Sequence, residues 1–184
     1  MPSCLFIGRR LLAGIGQVTN RYAELLHSQG YETEYVEIGH PPKKLKYDAG
    51  FAFILPIQQQ LDIVDQYASL CTKMTYMTIC ETDTVNPVYG ILSKYKTLWV
   101  ASDFCKEVFE RQFPDVEWKV LRLFAYEKPL RAPSEGTPYT FYSIGNMADP
   151  RKNIQGLIDA FTSCNFGDKA RLVLKATCIR PLEL

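Results

Sequence analysis

The chain has 184 residues, 47% of them hydrophobic and 22% charged, with a formal net charge of +1. That make-up fits one large globular domain, or one domain and part of another, without disordered or collagen-like bias. It gives no support to a nucleic-acid role, which shows as a strongly basic face or stripe, and no apolar run reaches membrane-spanning length.

Residues 4–8 read as a short apolar strand ending at Gly8, and 9–16 as the connection to a helix over 17–29. In that helix Val18, Tyr22, Leu25 and Leu26 form the inward face and Gly30 is the stop. Arg9 and Arg10 follow the first apolar run, the reverse of a secretory signal, so a soluble cytoplasmic protein is expected. Residues 33–38 alternate polar and apolar and complete a right-handed, parallel strand–helix–strand unit. Gly14 and Gly16 fall where such units bring backbone against a phosphate or ligand. The pair lacks the third glycine of a dinucleotide fingerprint, although Glu37 lies near the distance of its acidic residue. A tight turn is the competing reading of both glycines.

Residues 40–46 are a basic, proline-containing loop, and 48–55 a third strand. A helix follows over 57–70, with Leu61, Ile63, Val64, Tyr67 and Ala68 as its apolar positions. The strand over 74–80 stops at Glu81, Thr82 and Asp83, which places two carboxylates just past the carboxyl end of a central strand, where open α/β sheets keep their sites. The alternative is a cap and a turn made by Asp83 with Thr84 and by Asn86 with Pro87. A short helix over 88–96 and a strand over 97–101 come next. Ser102 and Asp103 can then cap a helix over 104–113 with Val108, Phe109 and Phe113 inward, and 118–124 is the last strand of this half.

From 126 to 138 the composition turns to proline, glycine and charge, a linker between a first domain over 1–125 and a second over 139–184. The second opens with an aromatic and β-branched strand over 139–144 and turn chemistry over 145–151. A helix over 152–161 carries Ile154, Leu157, Ile158 and Phe161 on one face, and 171–176 is another strand. A basic pair at a helix start opposes the macrodipole, so Arg151 and Lys152 suit an anion held together with free backbone N–H groups. A solvated loop is the alternative. The six cysteines, at 4, 71, 80, 105, 164 and 178, lack the short spacings of zinc or thioredoxin-like motifs. Buried free thiols are expected, with disulfides left open by the even number. His27 and His40, the only histidines, stand at no metal-ligand spacing, and a Ser-His-Asp hydrolase fits poorly.

Several of these pieces, in their order, resemble retaining GT-B glycosyltransferases of the family 4 type. Gly14-Ile-Gly16 before a helix, Glu81-Thr82-Asp83 with Pro87 downstream, and the run from Leu98 through Ser102 to Phe109 look like the N-terminal domain of that family. Ser143-Ile-Gly-Asn146, Arg151-Lys-Asn153 and the run from Leu157 to Phe161 are similar to the opening of its donor-binding domain. The resemblance implies an α/β fold of two Rossmann-like domains, the second truncated, and transfer of a sugar from a nucleotide diphosphate sugar to a carbohydrate or lipid-linked acceptor hydroxyl with retention. It implies no cofactor and no bound metal, so fixed cations must stabilise the departing diphosphate. Lys152 matches the family's phosphate-binding lysine, and Asn146 stands where an arginine is common, with Arg151 a partial substitute. Gly14 and Gly16 match the loop that approaches the donor phosphates, and Glu81 or Asp83 would orient the acceptor or take its proton. The family's histidine near that point and its paired-glutamate motif have no counterpart.

After residue 176 only eight residues follow, whereas the family's donor domain continues through further units. A lone strand–helix–strand piece cannot cover both faces of its sheet. The expectation is therefore docking on the first domain, pairing in a homo-oligomer, or a fragment of a longer protein. Two other classes stand beside the transferase: a non-catalytic acceptor- or partner-binding module, and a Rossmann-type oxidoreductase with nicotinamide cofactor at Gly14 and Gly16.

Overall fold

A computed structural model describes residues 1–9, 14–124 and 136–176. The chain divides into two compact units, Met1–Tyr126 and Glu127–Leu184.

The first unit runs β1 (Ser3–Gly8), α1 (Gly14–Ser28), β2 (Glu32–Glu37), β3 (Ala49–Phe53), α2 (Gln58–Ala68), β4 (Met74–Thr78), a 3₁₀ helix (Pro87–Lys94), β5 (Thr97–Val100), α3 (Asp103–Gln112) and β6 (Glu117–Val120). Its strands form one six-stranded parallel sheet in the order β2-β1-β3-β4-β5-β6. The expected Rossmann-like α/β class is what the structure shows. β1 is covered on both faces, which is why it reads as an unbroken apolar run. Leu5 and Ile7 join the core that includes Leu61 and Val64 of α2 and Val108 and Phe109 of α3, while Cys4 and Phe6 join the core that includes Tyr22 and Ala23 of α1. In the larger core the Phe109 ring stacks on Trp118 at a centroid distance of 4.4 Å.

The first crossover leads from β1 to one side, and the later ones run to the other. Right-handed connections therefore place α1 on one face and α2 and α3 on the opposite one. The strand order reverses between β1 and β3, and the carboxyl ends of those strands flank the crevice where open α/β sheets take ligands.

Two details of α1 correct the sequence reading. The helix begins at Gly14, so Gly14 and Gly16 form its first turn and are not part of a preceding loop. Its buried positions are Gly16, Thr19, Tyr22 and Ala23, whereas Leu25 is exposed. The helix lies close against the sheet, and small side chains fit that approach; a face chosen by hydrophobicity alone favours the larger leucine. Thr19 is fully buried and its hydroxyl donates back to the Ile15 carbonyl at 3.0 Å, the local bond available to a buried hydroxyl within a helix.

The second unit runs β7 (Tyr139–Gly145), a 3₁₀ turn (Pro150–Lys152), α4 (Ile154–Ser163), a second 3₁₀ turn (Gly167–Lys169) and β8 (Ala170–Ala176). β7 and β8 pair in parallel from Tyr139 with Ala170 to Gly145 with Ala176. Phe141 packs edge-on to Phe161 at 5.8 Å and stacks with Phe166 at 5.7 Å. Tyr142 and Ile144, of opposite parity on β7, are 65% and 62% exposed. The helix starts two residues later than the pattern suggests. Asn153 adopts a left-handed conformation with φ 44°, which breaks the chain between Lys152 and Ile154. The basic pair accordingly belongs to a separate turn. Of the proposed linker, residues 126–135 lie outside the described residues, as do 177–184, including Cys178.

Candidate functional site

In the first unit the carboxyl edge of the sheet gathers the N-terminus of α1 and the segment after β4. No acidic residue occupies the first turn of α1, so no carboxylate of that turn competes for its positive end. A Cβ on Gly14 would meet no atom of the described residues within 4 Å, so crowding by them does not demand glycine there. Gly8, at the end of β1, is different. A Cβ there would overlap the Tyr35 hydroxyl and lie 3.0 Å from Tyr35 Cζ and 3.2 Å from Thr19 Cβ. Tyr35 reaches across from β2 and donates its hydroxyl to the Arg9 carbonyl. Burial, reinforced by Glu37, pushes its phenol up to about 12.

Glu81 and Asp83 are both exposed in the turn beyond β4. The turn is held by clamps on its backbone. Tyr89 donates its hydroxyl to the Ile79 carbonyl at 3.0 Å, and Arg111 donates Nη2 to the Asp83 carbonyl at 2.7 Å. Gln112 brackets Val85, accepting from its N–H at 3.1 Å and donating to its carbonyl at 2.8 Å. Asn86 accepts from the Val88 N–H and caps the 3₁₀ helix behind Pro87, as the capping alternative expects. Asp83 Oδ1 accepts from the Thr84 hydroxyl at 3.3 Å and, among the described residues, caps no helix. The side chains of Tyr89, Arg111 and Gln112 fix the turn, on which Glu81 and Asp83 are exposed residues. Arg111 and Gln112 stand almost thirty residues from the turn in sequence, so only the fold brings them to it. Their anchor, α3, begins where the sequence places it, with Ser102 Oγ accepting from the Cys105 N–H at 3.2 Å.

In the second unit the turn after β7 assembles Gly145, Asn146, Asp149, Arg151 and Lys152. Asn146 accepts from the Ala148 N–H at 3.2 Å, an Asx turn. Asp149 caps the 3₁₀ turn through the Arg151 N–H at 3.0 Å and is gripped by the Arg151 guanidinium, with Nη2 to Oδ2 at 2.7 Å. Those side-chain and backbone bonds from Arg151 hold the Asp149 carboxyl below its usual range. Lys152 lies beside the end of β7, with Cε 3.7 Å from where a Cβ on Gly145 would stand. Among the described residues its ammonium makes no salt bridge. The Asn153 side chain lies so close over Gly156 that any Cβ there would meet it within 2.6–2.9 Å. The sequence pairs Arg151 and Lys152 as equals, and the structure separates them: Arg151 bonds Asp149 directly, whereas Lys152 acts on that carboxylate only through space.

An apolar cavity of about 400 Å³ lies at the other end of the first unit's sheet, lined by Cys4, Phe6, Tyr22, Leu25, Phe51 and Trp99 among others. None of Gly14, Gly16, Glu81 and Asp83 lines it. Among the described residues no group of His, Cys, Asp and Glu side chains is arranged to hold a metal ion, and no helix is long and apolar enough to cross a membrane. Cys4, Cys80 and Cys105 are buried free thiols, whereas Cys164 is exposed, against expectation, because it stands at the solvent-facing end of α4. No protein-family model and no curated protein matches the sequence.

Proposed function

We propose that the chain acts as a GT-B-type glycosyltransferase of the retaining class, with its second unit contributing the start of the donor-diphosphate site. In this reading Lys152, lying along the carboxyl end of β7, meets the diphosphate with its ammonium and neutralises charge as the sugar departs. Gly145 lets the lysine stem and the phosphate approach the strand end. Asn146 shapes the turn, and Arg151 adds its charge only when its pair with Asp149 opens. Gly14 and Gly16, in the first turn of α1, offer backbone N–H groups to an anion. Glu81 and Asp83 face the acceptor hydroxyl. The observation that carries the reading is the contrast between neighbouring cations, Arg151 chelated by Asp149 and Lys152 left without an ion pair among the described residues beside the strand end.

The nicotinamide oxidoreductase reading loses support at Gly8, since Tyr35 fills the space over the end of β1 that close dinucleotide approach uses. A second reading, a non-catalytic acceptor- or partner-binding module, draws support from the second unit's two-stranded sheet, which leaves Tyr142 and Ile144 bare on one face. Calorimetry with nucleotide diphosphate sugars separates the two. Donor binding that weakens in Lys152→Ala supports the transferase; no donor heat in the native chain supports the module.

A further inference from the structure

Cys80 and Cys105 meet under the turn that carries Glu81 and Asp83. Cys80 follows β4, Cys105 lies in the first turn of α3, and they are 8% and 3% exposed. Cys105 Sγ donates to the Cys80 carbonyl at 3.2 Å, so the two residues touch directly. Neither takes part in the proposed transfer. The pair joins elements 25 residues apart in sequence at the carboxyl edge of the sheet, whereas Cys4 and Cys71 lie at the opposite edge. We infer that Cys80 and Cys105 form a reversible disulfide that ties the turn over 79–85 to the start of α3, with an oxidised low-molecular-weight disulfide as the oxidant.

The exchange balances. One thiolate, having lost its proton to water, attacks a sulfur of the small disulfide, breaks its S–S bond and expels one small thiolate. The second cysteine, likewise deprotonated, displaces the remaining small thiol from the mixed disulfide. The small disulfide gains two electrons and, with the two protons, leaves as two thiols, while Cys80 and Cys105 are oxidised to one S–S bond. Burial, with Cys105 adding to it, pushes the Cys80 thiol up to about 12. Exchange therefore runs through opening of the turn, and its rate reports that opening. The inference does not depend on Glu81 or Asp83 facing an acceptor.

The test uses the reduced 184-residue chain incubated with oxidised glutathione, then alkylated, digested with trypsin and mapped without reductant. Cleavage places Cys80 on residues 74–94 and Cys105 on residues 97–106. The expected result is a covalent pair of those two peptides, reversed by dithiothreitol, with the circular dichroism of the folded chain retained. Exposed Cys164 becomes glutathionylated and shows that the reagent is active. Cys105→Ser, whose hydroxyl can still donate to the Cys80 carbonyl, should fold normally and yield no such pair. Glutathionylated Cys164 without the 80–105 link, or a link that forms only once the dichroism of the fold is lost, would overturn the inference.

Discussion

Replacing Gly8 by alanine tests whether Tyr35 closes the end of β1. A Cβ at this position overlaps the Tyr35 hydroxyl and lies 3.0 Å from Cζ and 3.2 Å from Thr19 Cβ, and neither neighbour is the loose end of a flexible chain. Tyr35 is fixed by its bond to the Arg9 carbonyl and Thr19 by its bond to Ile15. Overpacking of this kind costs about 1–3 kcal/mol, against a gain of about 0.4–1 kcal/mol from the restricted unfolded chain. A net loss of about 1–2 kcal/mol is expected. Tyr35→Phe alone gives up a hydrogen bond worth about 1 kcal/mol, but it removes the atom nearest the new methyl group. The double variant should therefore be more stable than the sum of the single losses allows, by about 0.5–1 kcal/mol of coupling. Both tryptophans, Trp99 and Trp118, lie in the first unit, so urea unfolding followed by tryptophan fluorescence reads this unit alone. An unchanged midpoint for Gly8→Ala, or strict additivity with Tyr35→Phe, would refute the reasoning and reopen the end of β1 to a ligand.

Thr78, fully buried in β4, has a hydroxyl without a hydrogen-bond partner among the described residues, so Thr78→Val should raise stability by about 1 kcal/mol in the same urea assay. A loss of that size would mean the hydroxyl is satisfied in solution. Alkaline pH should destabilise the first unit between pH ~10 and ~12. Burial is the leading cause that raises Tyr35 and Tyr76 to about 12, and a raised folded value gives stability present below the ordinary phenol value and lost as pH climbs through the folded one. Absorbance at 295 nm should show late-ionising tyrosines whose titration coincides with unfolding. Ionisation of every tyrosine near its ordinary value in a still-folded chain would contradict this.

The periodic elements of both units were legible in the sequence because each carries a regular apolar stripe: β1 as a buried apolar run, α3 with Val108 and Phe109 buried, α4 with a half-buried Phe161 against Phe141. The errors arose where a small residue or a backbone conformation decides. Thr19 and Ala23 displaced Leu25 on α1 because close approach to the sheet selects size over hydrophobicity. The left-handed Asn153 split the basic turn from α4, which periodicity does not register. At the candidate sites, residue identities were readable and their states were not. The charges of Arg151 and Lys152 look equivalent until Asp149 is seen to hold one of them. The clamps of Arg111 and Gln112 on the 79–85 turn depend on a helix that is remote in sequence.

The central proposal, a diphosphate met by Lys152, is tested most directly by titrating the full chain with uridine, guanosine and adenosine diphosphates in a calorimeter. At least one should bind. Lys152→Ala should weaken that binding about tenfold to a hundredfold, the equivalent of one charged hydrogen bond of about 1.5–3 kcal/mol, while circular dichroism stays unchanged. No heat from any of the three at millimolar concentration, or equal affinity in the variant, would contradict the account.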